Sequence, residues 1–128
     1  MFKFKGFAAC GPGPVTKHMS DQVILALTTC PDEASAQALA AALVQERLAT
    51  CVNRISGVRS TYFWDARLQD EAEILLIIKT TAGRLDDLRT RLTALHPYEL
   101  PELLAIDVAG GNERYLDWVR MGVRNKGE

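Results

Sequence analysis

The tightest constraint in this sequence is the run Ile74-Leu75-Leu76-Ile77-Ile78, five consecutive branched aliphatic residues. It falls far short of the ~20 residues that cross a bilayer. As a strand it points apolar side chains to both faces of a sheet, because neighbouring side chains alternate. A second run, Val23-Ile24-Leu25-Ala26-Leu27, is too brief for a helix and reads the same way. The chain must therefore build a sheet with two apolar faces and find a cover for each.

The segments around these runs supply one cover. Asp32 is a good N-cap, Glu33 suits a first helical turn, and 34–47 is rich in Ala, Leu, Gln and Glu. Ala36, Leu39, Ala40 and Leu43 form its apolar stripe. From Thr50 the pattern becomes β. Cys51 and Val52 lead to a bend or bulge at Gly57, and Val58, Ser60, Tyr62 and Trp64 then alternate with Arg59, Thr61 and Phe63. Residues 65–70 read as a polar turn, and 71–80 as the returning strand of a long hairpin. Leu85, Leu88, Leu92 and Leu95 mark a second helix, with Asp87 and Arg91 paired on its outer side and His96-Pro97 ending it. Residues 103–108 form a fourth strand. Gly110-Gly111 breaks the chain, Asn112 caps a last helix, and Tyr115, Trp118 and Val119 form its apolar side.

The order is βαββαβ plus a terminal helix, an α+β arrangement. Right-handed crossovers put the first two helices on one face of a four-stranded sheet. The other face has only the terminal helix, and the hairpin leaves strand edges free. An oligomer is the physical remedy, since a chain of 128 residues buries little core per unit of surface.

Composition narrows the function. A formal net charge of -1 with dispersed Lys and Arg leaves no basic face for nucleic acid. No segment suits a membrane span. Cys10, Cys30 and Cys51 are an odd set without paired spacing, which points to a reducing compartment rather than a disulfide scaffold. Residues 1–18 read as a leader or remnant: Met1-Phe2-Lys3-Phe4-Lys5 is basic, the apolar stretch before Cys10 is too short for a signal core, and Gly11-Pro12-Gly13-Pro14 is linker-like. A single domain is expected over 19–128.

Several segments together resemble the CutA (divalent-cation tolerance) family. They are Thr28-Thr29-Cys30-Pro31-Asp32, Glu46-Arg47-Leu48-Ala49-Thr50-Cys51-Val52-Asn53, Ser60-Thr61-Tyr62-Phe63-Trp64, Ile78-Lys79-Thr80-Thr81, His96-Pro97-Tyr98-Glu99-Leu100-Pro101-Glu102 and Tyr115-Leu116-Asp117-Trp118. They fall in the family's order and spacing. The resemblance implies a ferredoxin-like subunit assembled as a homotrimer, with long hairpins pairing between subunits. It also implies a cytoplasmic protein concerned with divalent metals, copper above all, with no organic cofactor.

The same resemblance places a copper-ligand histidine on His96. A second histidine found before it in some members is Leu95 here, and a first-strand cysteine ligand falls on Thr28. Imidazole and thiolate both suit copper, so His96, Cys30 and Thr28 are the candidate metal residues. His96 also suits a helix-end cap, and Cys30 and Cys51 suit small buried hydrophobes. Tyr62, Trp64, Lys79, Tyr98, Glu102 and Trp118, with Glu73 and Tyr115, are candidates for a small-molecule pocket between subunits, or for interface packing. No P-loop or catalytic constellation is present, so a non-enzymatic role is expected. A signalling or scaffolding trimer, by analogy with PII-type regulators, is the alternative.

Overall fold

The computed structural model describes residues 20–124 of the chain; the leader expected over 1–18 lies outside them. Four strands and three helices follow one another as β1 (Val23–Cys30), α1 (Glu33–Gln45), β2 (Cys51–Trp64), β3 (Arg67–Thr81), α2 (Leu85–Leu95), β4 (Leu104–Asp107) and α3 (Glu113–Gly122), with a 3-10 turn at Ala82–Arg84 before α2. The sheet order is β2-β3-β1-β4, antiparallel throughout. This is the ferredoxin-like α+β arrangement expected.

Local chemistry sets the boundaries. The Asp32 carboxylate accepts the Ser35 N–H at 2.8 Å, and the Asn112 side chain accepts the Arg114 N–H at 3.0 Å. Each satisfies a donor that a helix start leaves unpaired, worth about 1 kcal/mol. His96 closes α2 in an extended conformation, as the residue before a proline must.

Residues directly opposed in an antiparallel ladder share a face. Ala26, Cys30, Ile74, Leu76 and Ile78 therefore point to one side, where they meet Ala36, Leu39, Ala40 and Leu43 of α1 and Leu88 and Leu92 of α2. The other side carries Leu25, Leu27, Leu75, Ile77, Leu104 and Ile106. Among the described residues only one end of it is covered, where Leu116 and Val119 of α3 pack on Val23 and Val108. Leu104 and Ile106 are 57% and 49% exposed, so an apolar face stands open.

Three expectations are corrected. The hairpin turn is two residues, Asp65-Ala66, not six: Trp64 pairs with Arg67, and 67–70 belong to β3. The polar residues there ride on an exposed ribbon, and Asp70 pairs with Arg59 across it at 3.3 Å. Asp87 and Arg91 do not pair. Arg91 reaches Glu46 at the end of α1 with two hydrogen bonds, a better fit for a planar guanidinium, and Asp87 meets Arg84. Finally, α3 buries Leu116 and Val119, whereas Tyr115 and Trp118 stand 42% and 49% exposed. Leu116 and Val119 fit against Val23, and among the described residues Tyr115 meets Lys79 and the Trp118 ring but stays part-exposed.

The expected bulge is present: Gly57 has φ +86°, and the register shifts between Ile55 and Val58. Asp65 and Ala66 both have positive φ, 57° and 62°, the geometry of a two-residue type I′ turn. Alanine is strained there. Ala66→Gly is expected to raise stability by about 1 kcal/mol in guanidinium unfolding; an unchanged or lower midpoint would mean that the turn relaxes in solution.

Candidate functional site

The candidate site lies where β1 stops. Cys30 opposes Ile74, so the next residue of β3, Glu73, sits one position past the last β1 pair. The segment 96–103 crosses this end of the strand on its way from α2 to β4. His96 and Tyr98, near its start, fill the space.

His96 is buried, and both ring nitrogens are engaged. The Tyr98 N–H donates to Nδ1 at 3.0 Å. That makes Nδ1 the acceptor and leaves the proton on Nε2, which donates to the Thr29 carbonyl at 2.8 Å. Cys30 Sγ lies 3.8 Å from the same Nε2. Burial pushes the Cys30 thiol up to about 11, partly offset by its hydrogen bond with Ser35. A protonated Nε2 facing a protonated thiol is not a nucleophile–base pair, because the ring has no free lone pair for the thiol proton.

Beside this lies a carboxylate network. Glu73 is buried and accepts Ser60 Oγ at 2.6 Å and Tyr98 Oη at 2.6 Å. The Tyr98 ring stacks at a tilt on His96, with centroids 4.9 Å apart. Burial, then the Glu73 hydrogen bond, pushes the Tyr98 phenol up. Partial desolvation raises the carboxyl of Glu102, an exposed residue, with a further contribution from the Glu73 charge. On the exposed ribbon, Tyr62 donates to Glu71 at 2.8 Å.

The structure thus joins His96, Cys30, Tyr98, Glu73 and Glu102, with Tyr62 nearby. Thr28 lies on the helix-covered face, its Oγ1 buried and without a hydrogen-bond partner among the described residues. Lys79, Tyr115 and Trp118 form a separate group. Lys79 Nζ donates to Tyr115 Oη at 3.2 Å and lies 5.6 Å from that ring's centre, and the Tyr115 and Trp118 rings are 5.4 Å apart. Lys79 and Glu73 are six residues apart on β3, roughly 20 Å at ~3.4 Å per residue. Trp64 is at the hairpin tip, 62% exposed. Within one chain the expected pocket is therefore three separate places. Ser60 went unnoticed as a site residue, because its role depends on a cross-strand partner thirteen positions away.

As a metal donor set, His96, Cys30 and Thr28 do not fit a tight, preformed centre. The imidazole nitrogens are already bonded, the thiol is held protonated, and a threonine hydroxyl is a poor ligand for a soft ion. Among the described residues, no group of three or more His, Cys, Asp and Glu side chains is placed to hold a metal ion.

The fold and site define a class: a ferredoxin-like subunit with one open sheet face and a buried polar cluster at the end of its first strand. The family described as CutA1 divalent ion tolerance protein matches residues 24–121. The divalent-cation tolerance protein CutA of Thermus thermophilus is 47% identical over 94 residues, 73% of this chain and 91% of that protein. The chloroplastic protein CutA of Arabidopsis thaliana is 39% identical over 102 residues, 80% of this chain and 56% of that protein. The crystal structure of CutA from Xylella fastidiosa superposes with a TM-score of 0.79 at 45% identity, covering 80% of this chain and 99% of that one. The chain belongs to the CutA1 divalent ion tolerance family.

Burial holds the His96 imidazole below its usual 6.5, against the opposing pull of the Thr29 carbonyl and the Glu73 charge. The unfolded chain protonates this ring first as pH falls, so stability from this group is complete above about 6.5 and declines from there towards the lower folded value. In NMR titrations the His96 ring is expected to have a midpoint below 6.5. Loss of stability between about pH 7 and 5 should be shallower in His96→Gln. A ring midpoint at or above 6.5 would contradict the neutral, doubly bonded imidazole.

Proposed function

We propose that this protein acts as a cytoplasmic, non-enzymatic homotrimer in divalent-cation tolerance, and that its direct contact with copper or a similar ion is weak and made through His96. The observation that carries the metal contact is the approach of an imidazole and a thiol to 3.8 Å at the end of β1, in a family named for divalent ions. Weakness follows from the same geometry: to bind through Nδ1 the ring must first release the Tyr98 N–H. The open apolar face and the free hairpin edges support the assembly. The non-enzymatic reading is supported by the tautomer of His96, which cannot take a proton from Cys30. The compartment follows the cysteine usage, although the Arabidopsis relative carries the name chloroplastic.

Isothermal titration with Cu(II) is expected to give weak heats for the wild-type protein, largely lost in His96→Ala. Equal heats for the two would remove His96 from the account.

A second reading is a signalling trimer that takes a small molecule in clefts between subunits. It is favoured by the Glu73–Ser60–Tyr98 network, which places a buried carboxylate near an open apolar face with no metal required. Native mass spectrometry of the protein from cell extract separates the two: retained copper supports the first reading, and a retained metabolite supports the second.

A further inference from the structure

We infer that a second copy of this chain docks on the open sheet face with its Lys79 ammonium against the Glu73 and Glu102 carboxylates, so that the polar cluster at the end of β1 is completed by a neighbouring subunit. This rests on the homotrimer reading and adds the contact that orients it.

The two ends of the face carry opposite charges, and neither is matched among the described residues. At one end, the partners of Glu73 are the neutral hydroxyls of Ser60 and Tyr98. Among the described residues no Lys or Arg lies within 4 Å of either Glu73 or Glu102. The two carboxylates are close enough for the charge of Glu73 to raise the Glu102 carboxyl. At the other end, Lys79 meets only the phenol of Tyr115, and among the described residues no carboxylate is within 4 Å of it. Lys79 and Glu73 lie at the margins of the same apolar surface, and Glu102 lies on the segment 96–103 at the Glu73 end. Lys79 and Glu73 share a face because both occupy odd positions of β3, the positions of Leu75 and Ile77.

Two adjacent carboxylates, one of them buried, are stabilised strongly by an ammonium and poorly by hydroxyls alone. Lys79 is roughly 20 Å too far along its own strand to supply that ammonium. Another copy has no such restriction. The basic end of one face against the acidic end of the next is a heterologous contact, which closes into a three-membered ring where each copy is turned by a third of a circle from the last. Charge complementarity sets the direction of docking, and the aliphatic area between the two ends supplies the adhesion.

The test is charge exchange. Lys79→Glu and Glu102→Lys are compared with the double variant by sedimentation velocity over a dilution series, at a fixed guanidinium concentration below the unfolding transition. Wild type is expected to run as a trimer. Each single variant should dissociate at a concentration at least tenfold higher, and the double variant should return to within about threefold of wild type. Circular dichroism verifies folding; if a reversed variant unfolds, Lys79→Gln and Glu102→Gln give the same single-site comparison. Single variants that dissociate like wild type, or a double variant no better than either single, overturn the contact while leaving the trimer standing. A wild-type monomer overturns both.

Discussion

Everything in this molecule follows from the need to cover β3 twice. Its central residues alternate Ile74, Leu76 and Ile78 to one side with Leu75 and Ile77 to the other. Helices α1 and α2 satisfy the first side completely, leaving Leu76, Ile78, Leu88 and Leu92 with no exposure. The second side receives one short helix, which packs on Val23 and Val108 and meets Lys79 through Tyr115, all at one end. Apolar surface of this extent is expensive to leave in water, at ~25 cal/mol per Å². The single chain is thus half of a structural solution: among the described residues its second side stays largely open.

How much of this was legible in the sequence depended on the range of the interaction involved. The stripe Ala36, Leu39, Ala40 and Leu43 follows the helical period, and all four are buried. Asp32, Gly57 and Asn112 act within a few residues of themselves, and each does what its type suggests. The errors came where a distant partner decides. Arg91 turned from Asp87 to Glu46, 45 positions away. Tyr115 and Trp118 look like core on size alone, yet one chain offers only a small patch for α3. The turn was misjudged because Arg67, Gln69 and Asp70 have polar, turn-like composition, although they sit on a ribbon exposed on both faces.

The site divides in the same way. His96 and Cys30 were each visible as donors, but their meeting spans 66 residues and depends on a proline-directed exit from α2. Once they meet, the hydrogen-bond pattern assigns their protonation: a neutral ring with its proton on Nε2, beside a thiol. That polarity makes the pair a structural clamp on the segment 96–103. Ser60 was the least legible member, and the central place of Glu73 was not visible in its being a pocket candidate. The importance of Glu73 comes from lying just past the end of β1, where Ser60 and Tyr98 converge on it from two other parts of the chain.

The extra residue at Gly57 has a further consequence, for the phase of the hairpin. Before it, Cys51, Asn53 and Ile55 share a side with Lys79, Ile77 and Leu75; after it, Val58, Ser60 and Tyr62 share that side with Glu73, Glu71 and Gln69. The odd-numbered residues of β2 hand over to the even-numbered ones at this single position. Loss of one residue here would rotate every later side chain to the opposite surface and carry the Ser60 and Tyr62 hydroxyls away from their acids. The glycine therefore acts as a reading-frame mark for the ribbon, and descendants of this chain are free to vary the tip's chemistry far more readily than the number of residues leading up to it.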